Sequence, residues 1–263
     1  MNIAVVRALD ILKIVGNNSE PMSLTDISKA LDIPKTTAFN IINTLVEEKC
    51  LIVKDKRSKL YELGIGIYEI GSLYINKVEY LDLIRDSIRR IKDNLSTSSF
   101  ACIVDNDELI YIDKVETNDT LKSSIKLGHR MPMYSASLGK AILAYYDDKA
   151  LEDYINRVEL KAKTKKTITI KDDLKRELEA ARVNGYAVSD EENDIGLYCI
   201  SAPIFDKDGK AFAAISASFV KININEEIIE KAKNIVLEES NNVSRFLGYK
   251  KDLLHEGFRI TEN

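Results

Sequence analysis

The stretch SLTDISKALDIPKTTAFNIINTLVEEKCLIVKDKRSKLYEL (23–63) decides the architecture of the N-terminal part of the chain. Ser23 followed three residues later by Asp26 is a capping-box pattern, with Asp in place of the usual Glu, and it starts a helix that turns Leu24, Ile27, Ala30 and Leu31 inward. Asp32-Ile33-Pro34 interrupts that periodicity. Pro34 suits the first position of a new helix, where its missing N–H costs little. From Lys35 to about Glu48 the apolar stripe is Ala38, Ile41, Ile42, Leu45 and Val46. Two short helices across such a turn predict a helix-turn-helix. The β-rich runs CLIV and KLYEL, separated by Lys54-Asp55-Lys56-Arg57-Ser58, predict a hairpin with a basic tip. Helix-turn-helix followed by a basic hairpin is the order of a winged helix.

Working outward, residues 3–16 place Val5, Ala8, Leu9, Leu12 and Val15 on one stripe, which predicts a further helix. Its charges at Arg7, Asp10 and Lys13 distinguish it from a secretory signal. The exposed side of the second helix of the pair presents Lys35, Thr36, Thr37, Asn40 and Asn43, short polar groups suited to base edges and phosphates. A helix exposed for structural reasons alone more often carries Glu/Lys pairs. On this reading those five residues contact DNA, and Lys56 and Arg57 touch its backbone from the wing.

Composition is compatible with that assignment but does not carry it. The 263 residues hold 38 basic and 42 acidic side chains, a net charge of −4. Residues 1–63 hold 9 basic and 8 acidic groups and the remainder 29 and 34, so any DNA-reading face is local. With 45% hydrophobic and 30% charged residues, the chain has ordinary globular usage. No apolar run approaches the roughly 20 residues that span a bilayer. Cys50, Cys102 and Cys199 lie far apart with no C-x-x-C spacing, so neither a disulfide framework nor a zinc ribbon is expected. His129 and His255 alone leave little for a metal site or a His-dependent triad. The expectation is a cytoplasmic protein with no cofactor and no membrane partner.

Beyond residue 63 the pattern changes. Ile67, Ile70 and Tyr74 are helically spaced despite three glycines and predict a linker helix within 64–78. A helix over 79–95 follows, with Leu81, Ile84, Ile88, Ile91 and Leu95 on one face. SFACIV and LIYIDKV around Asp105-Asn106-Asp107 predict a hairpin, and LKSSIKL (121–127) a further strand. Helices are predicted over 136–146 and 171–184, the latter ending at Gly185. YAVSD, LYCISAPIF and AFAAISASF read as strands, the last two joined at Asp206-Lys207-Asp208-Gly209, and 226–247 as a long closing helix. The second domain, 79–249, is thus α+β with an antiparallel sheet. The tail, 250–263, has no apolar period.

Catalytic constellations are scarce. SLGKA does not make a phosphate loop: position 134, where the first glycine is required, is Tyr, and Ala141 follows Lys140. No G-x-S-x-G elbow occurs. Asp190, Glu191 and Glu192 are successive carboxylates of the kind that usually line a solvated turn. Cys199 has no neighbouring His to activate it and reads equally well as a small core residue. One constellation suits binding. Tyr134-Ser135-Ala136-Ser137-Leu138 leads into a helix whose N–H groups could hold a carboxylate. Ser216 and Ser218, two apart on a strand, share one face of the sheet.

The segments VVRALDILKIV, SLTDISKALDIPKTTAFNIINTLVEEKCLI and YELGIGIYEIG resemble the N-terminal domain of the IclR family of bacterial transcriptional regulators. The resemblance continues through LGHRMPMYSASLGKAILA, DLKRELEAARVNGYAVSDEEN and GLYCISAPIFDKDGKAFAAISASF, nearly the whole chain in the family's order. It implies a GAF/PAS-like sensor domain behind the winged helix. It also implies an effector pocket at Ser137, Leu138, Ser189, Asp190, Leu197, Cys199, Ser216 and Ser218, and a homodimer or homotetramer on a palindromic operator. One departure stands out: the family usually has a basic residue in the middle of the recognition helix, where this chain has Phe39-Asn40. The expected effector is a small organic acid, with Leu197 and Met131 as apolar wall and Asp190 disfavouring a second anionic group. The competing readings are a cytosolic enzyme and a GAF-like module for a cyclic nucleotide or metal. The first lacks a catalytic set, and the second lacks an Arg-rich phosphate site.

Overall fold

The structure, a computed structural model, describes residues 1–55, 59–75, 78, 80–117 and 125–250. The chain divides into two compact units, Met1–Glu79 and Tyr80–Asn263.

The first unit begins with α1 (Ile3–Asn17), β1 (Met22–Ser23), α2 (Leu24–Ala30) and α3 (Lys35–Glu47). It continues with β2 (Leu51–Asp55), β3 (Leu60–Leu63) and α4 (Ile65–Ile75). The capping box forms as expected: the Asp26 N–H donates to Ser23 Oγ at 3.2 Å and the Ser23 N–H to Asp26 Oδ2 at 3.3 Å. The Ser23 hydroxyl also donates to Asp26 Oδ2 at 2.6 Å, and this bond, with that from the Ser23 N–H, holds the Asp26 carboxyl below its ordinary pKa. Between α2 and α3, Asp32 takes a left-handed φ of 49° and Ser28 Oγ donates to the Ile33 carbonyl at 2.7 Å, fixing the turn. Pro34 is the N-cap and not the first helical residue, because its ψ of 139° is still extended.

Three expectations for this unit change. In α1, Ile11 and Val15 are the buried residues, whereas Val5 and Leu9 are more than half exposed. Ala30 is exposed as well. The hairpin β2–β3 acquires a third strand, β1, in the order β1-β3-β2. The core joins Ile11, Ile27, Ala38, Ile42, Leu51 and Tyr61 from α1, α2, α3, β2 and β3. Gly64 is required where β3 passes into α4: a Cβ there would lie 2.2 Å from the Lys49 carbonyl oxygen.

In the second unit, α5 (Tyr80–Leu95) precedes a hairpin of β4 (Ser98–Asp105) and β5 (Glu108–Val115). Then come β6 (Arg130–Pro132), a 3₁₀ turn (Met133–Ser135), α6 (Ser137–Leu143) and α7 (Asp148–Arg157). The unit closes with α8 (Lys171–Asn184), β7 (Ala187–Asp190), β8 (Leu197–Phe205), β9 (Ala211–Val220) and α9 (Glu226–Phe246). The six strands form one antiparallel sheet in the order β6-β5-β4-β9-β8-β7. The α+β architecture with an antiparallel sheet is therefore the one expected.

Of the run LKSSIKL, residues 121–124 lie outside the described residues, and 125–127 are not in a strand. The edge position belongs instead to β6, which ends in Pro132, a residue tolerated at a sheet edge. The helix expected over 136–146 stops at Leu143, and α7 was not anticipated. Its signal is nonetheless present: Asp147 caps it by accepting the Ala150 N–H at 2.7 Å, and Tyr154 and Ile155 point inward. Helices α5 and α9 pack against each other and on the sheet. Arg90 of α5 grips Glu239 of α9 through both carboxylate oxygens.

Candidate functional site

Register explains how the second unit builds a cavity. Residues opposite one another in an antiparallel pair share a face. Ser98 pairs with Ser218, Ser218 with Cys199, and Cys199 with Ser189. Phe100 pairs with Ser216, and Ser216 with Ser201. One face of four adjacent strands is thus rich in hydroxyls. Helix α6 lies across it, with Ser137 Oγ 2.7 Å from Ser201 Oγ. Glycine at residue 139 lets the preceding 3₁₀ turn fold back against the helix: a Cβ there would come within 2.2 Å of the Met133 carbonyl oxygen. The glycine of SLGKA thus serves packing.

Between this face, α6 and the loop 191–196 lies a cavity of about 550 Å³. Ser137, Leu138, Ser189, Leu197, Cys199, Ser216 and Ser218 all line it, as does Met131. Asp190 does not. Side chains alternate along a strand, so Ser189 faces the cavity and Asp190, opposite Tyr198, faces away. Burial alone would raise the Asp190 pKa, but hydrogen bonds from Lys221 and Lys166 outweigh it and leave it below the ordinary value. Ser135 is buried and donates to Asn193 Oδ1 at 3.4 Å.

Lining residues that sequence reasoning missed come from segments far apart in the chain: Asn94, Thr97, Tyr111, Asp194, Asn223 and Lys231. Burial pushes the Cys199 thiol up to about 11 and the Tyr111 phenol well above its ordinary value, so both stay protonated at neutral pH. A protonated buried thiol is no nucleophile. Ser216, 1% exposed, has a hydroxyl with no hydrogen-bond partner although it lines the cavity. Among the described residues no cluster of His, Cys, Asp and Glu could hold a metal ion.

Behind α6 the three successive carboxylates divide their roles. Lys140, fully buried, reaches Glu192 at 2.7 Å and Glu177 at 3.0 Å. Burial raises the Glu192 pKa against the pull of Lys140. Glu191 binds Lys166 and Lys221 and accepts the Gly196 N–H, which lowers its pKa to about 2. These bonds anchor both ends of the loop that carries Asn193, Asp194 and Ile195 to the cavity.

In the first unit, Lys35, Thr36, Asn40 and Asn43 of α3 are exposed and Thr37 is half-buried. Phe39 between them is 36% exposed, and Lys59 places its ammonium 5.7 Å from the ring centroid. Lys59 was missed from the candidate DNA face. Lys54 spends its charge on Glu62 at 3.0 Å. Lys56 and Arg57 lie outside the described residues.

Residues 73–245 match the family model described as bacterial transcriptional regulator IclR C-terminal, and residues 4–51 match the IclR helix-turn-helix domain. The chain belongs to the IclR family. It is 26% identical over 246 residues to the HTH-type transcriptional regulator KdgR of Escherichia coli, covering 94% of this chain and 93% of that one. It is 28% identical over 247 residues to the HTH-type transcriptional repressor AllR of the same species, covering 94% and 91%. The crystal structure of Thermotoga maritima IclR superposes with a TM-score of 0.81 at 34% identity, over 95% of this chain and all of that one. An IclR homologue from Microbacterium hydrocarbonoxydans, complexed with 4-hydroxybenzoate, shares the fold with a TM-score of 0.81 at 19% identity, over 93% and 98% of the two chains. The chain is a DNA-binding transcriptional regulator, and the curated relatives it matches are transcriptional regulators. No helix among the described residues is long and apolar enough to cross a membrane.

Proposed function

We propose that this IclR-family regulator is a cytoplasmic repressor that reads a palindromic operator as a homodimer, or as a pair of dimers, and responds to a small organic acid held in the second unit's cavity. The observation that carries the effector reading is the Ser216 hydroxyl, buried and unpartnered on the wall of a 550 Å³ cavity. Buried polar groups are nearly always hydrogen-bonded, and a ligand hydroxyl or carboxylate supplies the missing partner. The acid bound by the Microbacterium homologue, 4-hydroxybenzoate, is a hydroxylated monoacid of the same class. Repression is the sign named for the AllR relatives.

In this reading residues 1–63 bind DNA, 64–78 form the linker and 79–249 sense the effector. Lys35, Thr36, Thr37, Asn40 and Asn43 enter the major groove, with Lys56 and Arg57 on the backbone. A dimer is supported by apolar side chains left exposed on α4, among them Tyr68, Ile70, Leu73 and Tyr74, and by Val5 and Leu9 on α1. The effector changes operator affinity through a coupling of about 1–3 kcal/mol.

The test is a gel shift on the chain's own promoter DNA, run beside calorimetry with organic acids. Replacing Ser216 and Ser218 together by Ala is expected to abolish the response to the acid while operator binding without effector stays near wild type. A double variant that still responds overturns the assignment of this cavity.

A further inference from the structure

Among the described residues, the cavity is neutral at its floor and charged at its mouth. Its buried wall, with Phe100, Tyr111, Ser137, Ser189 and Ser216, offers hydroxyls, a protonated phenol and apolar surface. Among the described lining residues the only ionised groups are Asp194 and Lys231, both exposed. Lys231 Nζ donates to the Asn94 carbonyl at 3.0 Å, using one of an ammonium's three protons. Among the described residues it has no carboxylate partner. Asp194 accepts from Asn193 Nδ2 at 2.6 Å.

This distribution bears on how an acid sits. A carboxylate at the floor would be desolvated with no cation beside it, which is costly. At the mouth, Lys231 offers a charge-assisted hydrogen bond in partial contact with water. Size points the same way. At about 30 Å³ per water, 550 Å³ is the share of roughly eighteen molecules, so an acid of a few carbons leaves most of the cavity wet.

We propose that Lys231 is the specificity-determining residue of this cavity: it takes the effector's carboxylate at the mouth, while an apolar, hydroxyl-bearing end reaches Ser216 at the floor. The effector class is then an extended hydroxylated monoacid of ring size or longer. A second carboxylate at the floor end would be buried with no cation beside it, so diacids are disfavoured. This inference rests on the effector reading above and adds an orientation to it, the reverse of a carboxylate seated at the start of α6.

Calorimetry on the full chain tests it. The probes are hydroxyphenyl-alkanoic and ω-hydroxy acids of about four to ten carbons, a range set by the cavity. Each is compared with its primary amide and its α,ω-diacid. The wild type is expected to prefer acid over amide by about tenfold, the scale of one charge-assisted hydrogen bond. Lys231→Gln should bring that ratio below about twofold while leaving the amide's affinity unchanged. Ser216→Val should weaken acid and amide alike, and the diacids should bind more weakly than the monoacids. Lys231 is exposed, so its variant is expected to melt as the wild type does. An acid preference that survives Lys231→Gln overturns the orientation and leaves the effector reading standing. A wild type that binds no probe, with operator affinity unaltered by any of them, overturns both.

Discussion

Lys140 carries more of the second unit's stability than its motif suggests. Its ammonium is fully buried between Glu192 and Glu177, and Glu192 is itself only 7% exposed. Removing one partner of such a pair leaves an uncompensated buried charge. Lys140→Ala is therefore expected to destabilise the protein by about 3 kcal/mol, read from urea unfolding, the lower end of the usual range because Glu177 is partly exposed. Glu191 gives a pH signature. Its pKa falls from an ordinary 4.5 to about 2 on folding, so the folded state favours its charged form. The stabilisation it brings is complete above about pH 4.5 and is lost as pH falls towards 2. Glu191→Gln should narrow the difference in melting temperature between pH 6 and pH 3, measured by calorimetry, to a degree limited by the group's exposure. An unchanged difference would show that the Lys166–Glu191–Lys221 cluster is not formed in solution.

At the scale of elements, α3 and the turn behind it make two separable predictions. Asn pairs bidentately with adenine, where Arg favours guanine. With Asn40 exposed in the middle of α3, operators selected from random DNA should carry an A·T pair opposite it. A fixed G·C pair there would contradict this assignment. On the proposed contact of Arg57 with the DNA backbone, Arg57→Ala should weaken binding to all sequences about equally and reduce the salt slope by about one. Gly64 tests the scaffold. The Cβ of Gly64→Ala would press on the Lys49 carbonyl, which belongs to backbone and cannot rotate away. About 1–3 kcal/mol of destabilisation is expected, the ordinary cost of overpacking, measured as a lower unfolding midpoint.

For the whole molecule, a dimer on DNA places two α3 helices about 34 Å apart, one helical turn, and predicts half-sites with that spacing. The apolar side chains exposed on α4 give the means to test it. Replacing Tyr68 and Leu73 by Lys should yield a monomer in sedimentation experiments and lose operator binding. Effector binding by calorimetry should persist, because the cavity lies entirely within the second unit. Loss of both activities together would mean that assembly and sensing cannot be separated.

The sequence by itself determined the helix-turn-helix, most strands and helices other than β1, β6 and α7, and the shared face of Ser216 and Ser218, because caps, turns and alternation are local properties. Ser23 with Asp26, Gly185 at its left-handed φ, and Ser216 with Ser218 are each specified by neighbours a few residues away. It was less reliable where two chemically equivalent choices are separated only by packing. Val5 and Leu9 read as core and proved exposed, and Asp190 read as a cavity residue although strand alternation turns it outward. Only the tertiary structure decided what meets across long separations. Register joins Ser98 to Ser218 and Ser218 to Cys199, α6 lies over that face with Ser137 against Ser201, and Lys231 reaches Asn94 from 137 residues away. A cavity belongs to none of its segments. Its floor can be neutral and its mouth charged only after the chain has folded, because burial and distance, which set that contrast, do not exist in the unfolded sequence.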